Sequence, residues 1–221
     1  MNFIETLNAR LDQIHLLKHC FYQAWNKGEL SRATLQTYAK EYYGHVAAFP
    51  RYVSAIHSQC DDIKVRQVLL GNLIEEDQGA ENHPELWQRF AEGLGVERSD
   101  LRGVAKFKET RDLIDGYFDL VRSDFATGLG ALYAYERQTP EVSKSKIEGL
   151  KKFYNINDER TLKFFEVHMQ ADEWHSEECA SLIDALDAEG KERAAKGAEM
   201  GAKLLWGFLD GMMDEHENIA N

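Results

Sequence analysis

The segment His168-Met-Gln-Ala-Asp172-Glu-Trp-His175 carries two imidazoles and a carboxylate at positions i, i+4 and i+7. At about 100° per residue these turn by roughly 0°, 40° and −20° around a helix, so His168, Asp172 and His175 share one narrow stripe. Leu162, Phe165 and Leu182 mark neighbouring faces as buried. Polar groups on an inward stripe are costly unless compensated, and a divalent cation supplies the compensation. Imidazole and carboxylate together suit iron, manganese or zinc. Glu173, Glu177 and Glu178 surround the triplet, so the competing reading is the solvated face of a charged helix.

Two further segments offer matching chemistry. Glu76 and His83 are seven residues apart, and a continuing helix places both on one face, with Glu75 about 80° away from His83. Gly79 and Pro84 work against that continuity, and the alternative is an acidic helix end. Glu136 follows the apolar run Phe125–Tyr135, so it is either at a helix end in water or buried and bound. Taken together, three separate helices offer three carboxylates and three histidines, the way helix bundles build dinuclear carboxylate sites. Two ions about 3.5–4 Å apart need bridging and terminal ligands, and Glu76, His83, Glu136, His168, Asp172 and His175 suffice. Of the other histidines, His15, His19 and His216 are not expected to ligate, and His45 and His57 are candidates for supporting a ligand.

The elements that must position these groups are helical nearly end to end. Phe3, Leu7, Leu11 and Ile14 recur at three to four residues, and the first helix is expected to stop near Gly28. Ser31 N-caps a second helix to about Phe49, and Pro50 predicts a break or kink. Asp61 or Asp62 starts the next, through Ile63, Leu69, Leu70, Leu73 and Ile74. Pro84 begins another, ending near Gly93 or Gly95. Helices follow at about 104–122 and 124–137. Thr139-Pro140 reads as N-cap then N1, opening a helix toward Tyr154. Asp158 caps a long helix to about Gly190, and a last one covers about 191–215. No convincing strand alternation, repeat or linker occurs. The expectation is one all-α domain over residues 1–221, with seven to nine helices.

Composition narrows the function classes. A chain of 221 residues can bury a real core. Its net charge of −12 argues against nucleic acid and anionic membranes, which recruit Lys/Arg excess. Cys20, Cys60 and Cys179 are far apart and form no metal or disulfide spacing. With no signal-like segment at the N-terminus and no uncharged run long enough for a bilayer, the expected location is the cytoplasm.

Several strings then become recognisable: Phe21-Tyr22-x-x-Trp25-x-Lys27-Gly28-Glu29-Leu30, Tyr38-Ala-Lys-x-Tyr-Tyr43, Ala48-Phe49-Pro50-x-Tyr52-x-Ser54-Ala55-Ile56-His57-Ser58 and Ala131-Leu-Tyr-x-Tyr-Glu136. They resemble the CADD-like branch of the haem-oxygenase-like dimetal oxidases, related in fold to TenA and PqqC proteins. The similarity runs from about Phe3 to Asp210; that branch's cysteine-containing C-terminal tail has no counterpart here. The resemblance implies a compact helical bundle of haem-oxygenase type and metal ligands at the six positions named above. It implies production of p-aminobenzoate for folate synthesis, with the ring drawn from the protein's own tyrosine. Tyr22 occupies the matching position, and Lys146 matches the lysine that supplies the amino group. Tyr38, Tyr43 and Tyr135 match family tyrosines that relay electrons. The expected requirements are two metal ions (Fe/Fe or Fe/Mn), dioxygen and a reductant, with small-molecule substrates; a homodimer is expected, although neither sequence nor resemblance sets the oligomeric state.

Two other readings compete. A dimetal oxidase acting on a free amine or fatty acid would spare Tyr22. A non-enzymatic interaction protein, suggested by the death-domain association of that branch, would not need the ligand set. A TenA-type thiaminase relies on a nucleophilic cysteine, and neither Cys60 nor Cys179 has a supporting motif; a PqqC-type cofactor-free oxidase would not need these ligands. The runner-up architecture, a ferritin-like bundle, prefers paired Glu-x-x-His motifs, which only Asp172-x-x-His175 approximates.

Overall fold

Side-chain oxygens at helix starts fix where the chain turns. In the computed structural model Ser31 accepts from the Thr34 amide, Asp62 from Lys64, Asn82 from Glu85, Asp124 from Ala126 and Thr127, and Asp158 from Thr161. Each satisfies a backbone donor that the helix leaves open, worth about 1 kcal/mol. The structure describes residues 2–103 and 107–220, with the side chains of 170–173 and 217–220 outside the description. The helices are α1 Phe3–Leu11, α2 Cys20–Lys27, α3 Arg32–Ser58, α4 Ile63–Asp77, α5 His83–Gly93, α6 Lys108–Ser123, α7 Phe125–Glu136, α8 Thr139–Phe153, α9 Glu159–Asp184 and α10 Ala188–Ala220. No strand occurs among the described residues, so the all-α expectation holds.

Ten α-helices among the described residues exceed the expected seven to nine, and the N-terminus supplies the difference. The stretch read as one helix from Phe3 to Gly28 is interrupted by two 3₁₀ turns over Asp12–Lys18. His15 and His19 adopt extended backbone there, and each ring accepts a hydrogen bond from the amide two residues on, capping the next turn. At Pro50 the deviation runs the other way. α3 continues through the proline, because Val46, Phe49 and Val53 around it are packed into the core. Tertiary burial there outweighs the lost backbone bond.

The core is organised around α7. Every residue from Gly128 to Glu136 is buried, as befits a helix apolar on all sides. It packs against α6, α9 and most extensively α10. The α7–α10 contact is backbone to backbone: a Cβ on Gly130 would overlap the Ala194 carbonyl, and one on Gly197 would overlap that of Thr127. Glu136, the last residue of α7, is thereby held in the interior at 1% exposure. No helix is long and apolar enough to cross a membrane, among the described residues.

Candidate active site

Four helices bring the ligand candidates together. α4 does not continue to His83: it ends at Asp77, the chain turns through Gly79 at φ 81°, and Asn82 caps α5 so that His83 is its first residue. The turn, not a shared helix face, brings His83 Nδ1 to 2.7 Å from Glu76 Oε2. His168 comes in from the middle of α9, its ring centre 4.3 Å from that of His83. Donor atoms of Glu76, His83 and His168 all lie within 4.8 Å of one another, and all three residues are buried.

Burial and neighbouring charges set the protonation of this cluster. His168 Nδ1 lies 2.6 Å from the Phe164 carbonyl; donating its proton there leaves the Nε2 lone pair free, the usual support for a metal-ligating histidine. Burial, then the charge of His83, drives the His168 pKa well below its ordinary value, so the ring is neutral. Burial also pulls on His83, but the Glu76 carboxylate raises its pKa above the ordinary value. Two imidazoles and a carboxylate, all buried and with donor atoms within 4.8 Å of one another, fit a metal ion.

A second group adjoins the first. Glu136 Oε1 accepts from Asn72 Nδ2 at 2.9 Å, and its Oε2 lies 4.0 Å from His175 Nδ1. His175 Nε2 is 3.3 Å from Oε2 of Glu75. The sequence reading set Glu75 aside because it turns away from His83. It does turn away, and meets His175 instead, so consecutive carboxylates of α4 serve different histidines. Asn72, one turn before Glu76 on the buried side of α4, was also missed; a lone polar residue at that inward position is the signal that marks it. Asp172 lies outside the described residues.

The aromatic candidates form a buried row. The Tyr22 hydroxyl, on α2, is 3.4 Å from that of Tyr38 on α3. Tyr38 stacks on Tyr42 with ring centres 5.5 Å apart. The Tyr42 and Tyr135 hydroxyls hydrogen-bond, and Tyr135 precedes Glu136 on α7. Burial pushes the Tyr22, Tyr38 and Tyr42 phenols far above their ordinary pKa, so all are protonated. Tyr43 is not brought to this row. It is half-buried beside Arg102, Glu85 and Arg98, without ring contact to the other tyrosines among the described residues. Tyr42, which the sequence analysis did not name, is the neighbour that joins the row. Its position four residues after Tyr38, on the same helix face, was the available signal.

Lys146 of α8 points into the same region and is 5% exposed. Its nitrogen lies 5.7 Å from the ring centre of Tyr22, 5.3 Å from Tyr38, 5.6 Å from Tyr42 and 5.1 Å from Phe165. Burial lowers its pKa to about 7, so a large share of the amine is neutral near that pH. Lys146, Tyr22, Tyr42, Tyr135 and Phe164 line a cavity of about 20 Å³. Phe164 also packs on His168, ring centres 4.1 Å apart, and joins this cavity to the cluster of Glu76, His83 and His168.

The remaining histidines sit elsewhere. His19 Nε2 pairs with Asp210 at 2.9 Å, and His216 Nδ1 with Thr34 at 3.0 Å. His45 is buried among Tyr42, Tyr52, Tyr117 and Tyr135, with neither ring nitrogen hydrogen-bonded, and burial lowers its pKa to about 3. His57 is half-buried near the end of α3 and contacts none of the ligand candidates among the described residues.

Comparison with known proteins places this geometry. Residues 36–206 match the family described as iron-containing redox enzymes. A 4-aminobenzoate synthase of Chlamydia muridarum is 38% identical over 97% of this chain and 91% of its own length. One from Nitrosomonas europaea is 37% identical over 98% and 92%. Among solved structures, a Shewanella denitrificans domain of unknown function with a heme oxygenase-like fold superposes with TM-score 0.82 at 17% identity, covering 98% of this chain and 93% of that one.

Proposed function

This chain belongs to the iron-containing redox enzymes, and from that premise we propose that it makes p-aminobenzoate for folate synthesis, using its own Tyr22 as the source of the ring. The relatives named 4-aminobenzoate synthase, matched over nearly their full length, support the activity. Glu76, His83, Glu136, His168, Asp172 and His175 would hold two metal ions, iron with iron or iron with manganese, with Glu75 beside His175. When bound, the metals activate dioxygen at the expense of an external reductant and supply the oxidising equivalents.

The chain's own residues do the rest. The Phe164 carbonyl fixes the His168 ring so that Nε2 faces its partners. Tyr38 holds the Tyr22 hydroxyl, and Tyr42 and Tyr135 continue the row toward Glu136 as a path for electrons and protons. Lys146 serves as the amino donor: the aromatic enclosure strips its hydration, lowers its pKa to about 7 and so leaves the lone pair of a substantial share of the amine available. A phenol and an amine held on the scaffold need no binding step.

One observation carries this reading. The cavity beside Lys146 and Tyr22 is about 20 Å³, room for one or two water-sized molecules, whereas a cavity that holds a free benzene ring is about 150 Å³. That favours a ring already built into the wall over an external amine or fatty acid. The buried ligand cluster, in turn, disfavours a purely structural role. The free cysteines suit work in the cytoplasm.

The test is rescue of a p-aminobenzoate auxotroph by the parent gene and by a Tyr22→Phe gene, with ring-labelled tyrosine fed during expression. The parent is expected to rescue and to release labelled product, and the variant to do neither. Unlabelled product, or rescue by Tyr22→Phe, would overturn the internal source.

A further inference from the structure

The inward stripe of α4 carries Leu69, Asn72 and Glu76, its buried residues, spaced by three and four positions so that they fall on one face. Leu69 belongs to the apolar core, and Glu76 to the cluster with His83 and His168. Asn72 fits neither description. It is 4% exposed, and a carboxamide taken out of water is costly unless its donors and its acceptor are met.

One end of that carboxamide is engaged. Asn72 Nδ2 donates to Glu136 Oε1 at 2.9 Å. An ionised carboxylate only accepts hydrogen bonds, so the bond fixes which end of the side chain faces Glu136 and turns Oδ1 away from it. Oδ1 is enclosed and has no hydrogen-bond partner among the described residues. An unmet acceptor counts against packing as the reason for an asparagine here, since an apolar side chain would fill the same space without that cost. The bond is also a strut between elements. α4 packs on α3, α5 and α9, whereas α7 packs chiefly on α10, α6 and α9, and the two helices share little direct packing. Asn72 reaches across from one to the other. With Oε1 held by Asn72, Oε2 of Glu136 stays on the side of His175, 4.0 Å from its Nδ1.

We propose that Asn72 is a positioning residue for the metal site: its amide holds the Glu136 carboxylate in the orientation that ligates, and it acts on the metals through Glu136 alone. Glu136 is 1% exposed at the end of α7, so no solvent is at hand to replace the bond. Without Asn72 the carboxylate is free to turn, and its ligating oxygen is no longer set against the groups supplied by α4 and α9. Groups that orient a ligand in this way are typically worth 10–100-fold in metal affinity. The inference rests on the metal-binding part of the proposed function. It is read in metal affinity, so a failure to make p-aminobenzoate would leave it standing.

Titration of the metal-free full chain with Co(II), followed by visible absorption, tests it, with circular dichroism as a check on folding. Asn72→Leu, and the smaller Asn72→Ala, are expected to keep the parent's helicity, to bind Co(II) about 10–100-fold more weakly and to show altered absorption bands. Leu69→Ala, a packing change on the same stripe, is expected to melt at a lower temperature but to keep Kd within about threefold and the bands unchanged. In a Glu136→Ala background Asn72→Leu is expected to change Kd less than about twofold, because nothing remains for the amide to hold. A parent that binds no metal, Asn72 variants that bind as the parent does, or an equal loss in Leu69→Ala would overturn the proposal. So would an undiminished effect of Asn72→Leu without Glu136, or loss of the fold in both Asn72 variants, which would make the residue structural.

Discussion

The Lys146 nitrogen faces the ring of Tyr22 from 5.7 Å, inside a shell of aromatic side chains, and burial is what lowers its pKa to about 7 from an ordinary 10.5. Between those values the unfolded chain binds a proton that the folded chain does not. Stability therefore falls as pH drops from about 10.5 to about 7 and levels off below. Lys146→Met removes this penalty. Urea denaturation is expected to show the variant more stable than the parent by on the order of 4 kcal/mol near pH 6, the gain fading toward pH 10. Product formation by the parent should rise with pH through about 7 as the amine loses its proton. A gain that is flat with pH would mean that Lys146 stays charged in the fold.

Metal loading should follow the two groups of ligands. Metal-free protein titrated with Fe(II) or Mn(II) is expected to gain about 2.7 kcal/mol of stability at a hundredfold excess over Kd. His83→Ala and Glu76→Ala each break the buried cluster of Glu76, His83 and His168, and should lose at least half the bound metal by elemental analysis. Glu75→Gln should lose less, because its carboxylate meets His175 from the exposed side. Full metal content in His83→Ala would remove the cluster from the site.

Tyr42 and Tyr43 separate the proposed relay from surface packing. Tyr42→Phe deletes the hydroxyl that bonds Tyr135 and is expected to cut product per polypeptide at least tenfold. Tyr43→Phe, on the half-buried side near Arg98 and Arg102, should change it less than twofold. Product quantified by mass spectrometry at matched metal loading distinguishes them.

These adjacent tyrosines also show where a sequence stops being legible. The ligand types were readable because i, i+4 and i+7 spacing is rigid within one helix, as His168 and His175 on α9 illustrate. What needed coordinates was the meeting of elements. Glu76 and His83 converge through a turn at Gly79 that a continuous-helix reading could not foresee. Glu75 acquires its role only because α9 passes beside α4. Helical phase puts Tyr42 on the Tyr38 face and in the buried row, whereas Tyr43, to which family likeness pointed, lies beside Arg98 and Arg102. The breaks at His15 and His19 come from imidazole caps, a signal less common than Ser, Asp or Asn.

The α7–α10 contact should be the least forgiving surface in the fold. Gly130→Ala drives a Cβ into the Ala194 carbonyl, so the backbone must give way; a loss of about 1–3 kcal/mol is expected, together with weaker metal binding because α7 carries Glu136. Gly207→Ala, where nothing lies within 4 Å of the added carbon, should be neutral or gain about 0.5–1 kcal/mol from helix propensity. Thermal melts of the two side by side check the contrast.

Tyr22 is also a core residue, 2% exposed and in ring contact with Phe21 and Trp25. On the proposal that Tyr22 gives up its ring, a spent chain would be left with a void where an aromatic side chain stood, and losses of that size cost about 3–5 kcal/mol. Spent molecules would unfold far more often than fresh ones and be cleared first by cellular proteases. Synthesis of the vitamin precursor would then be metered by translation and degradation of the catalyst itself, as with a fuel rather than a machine.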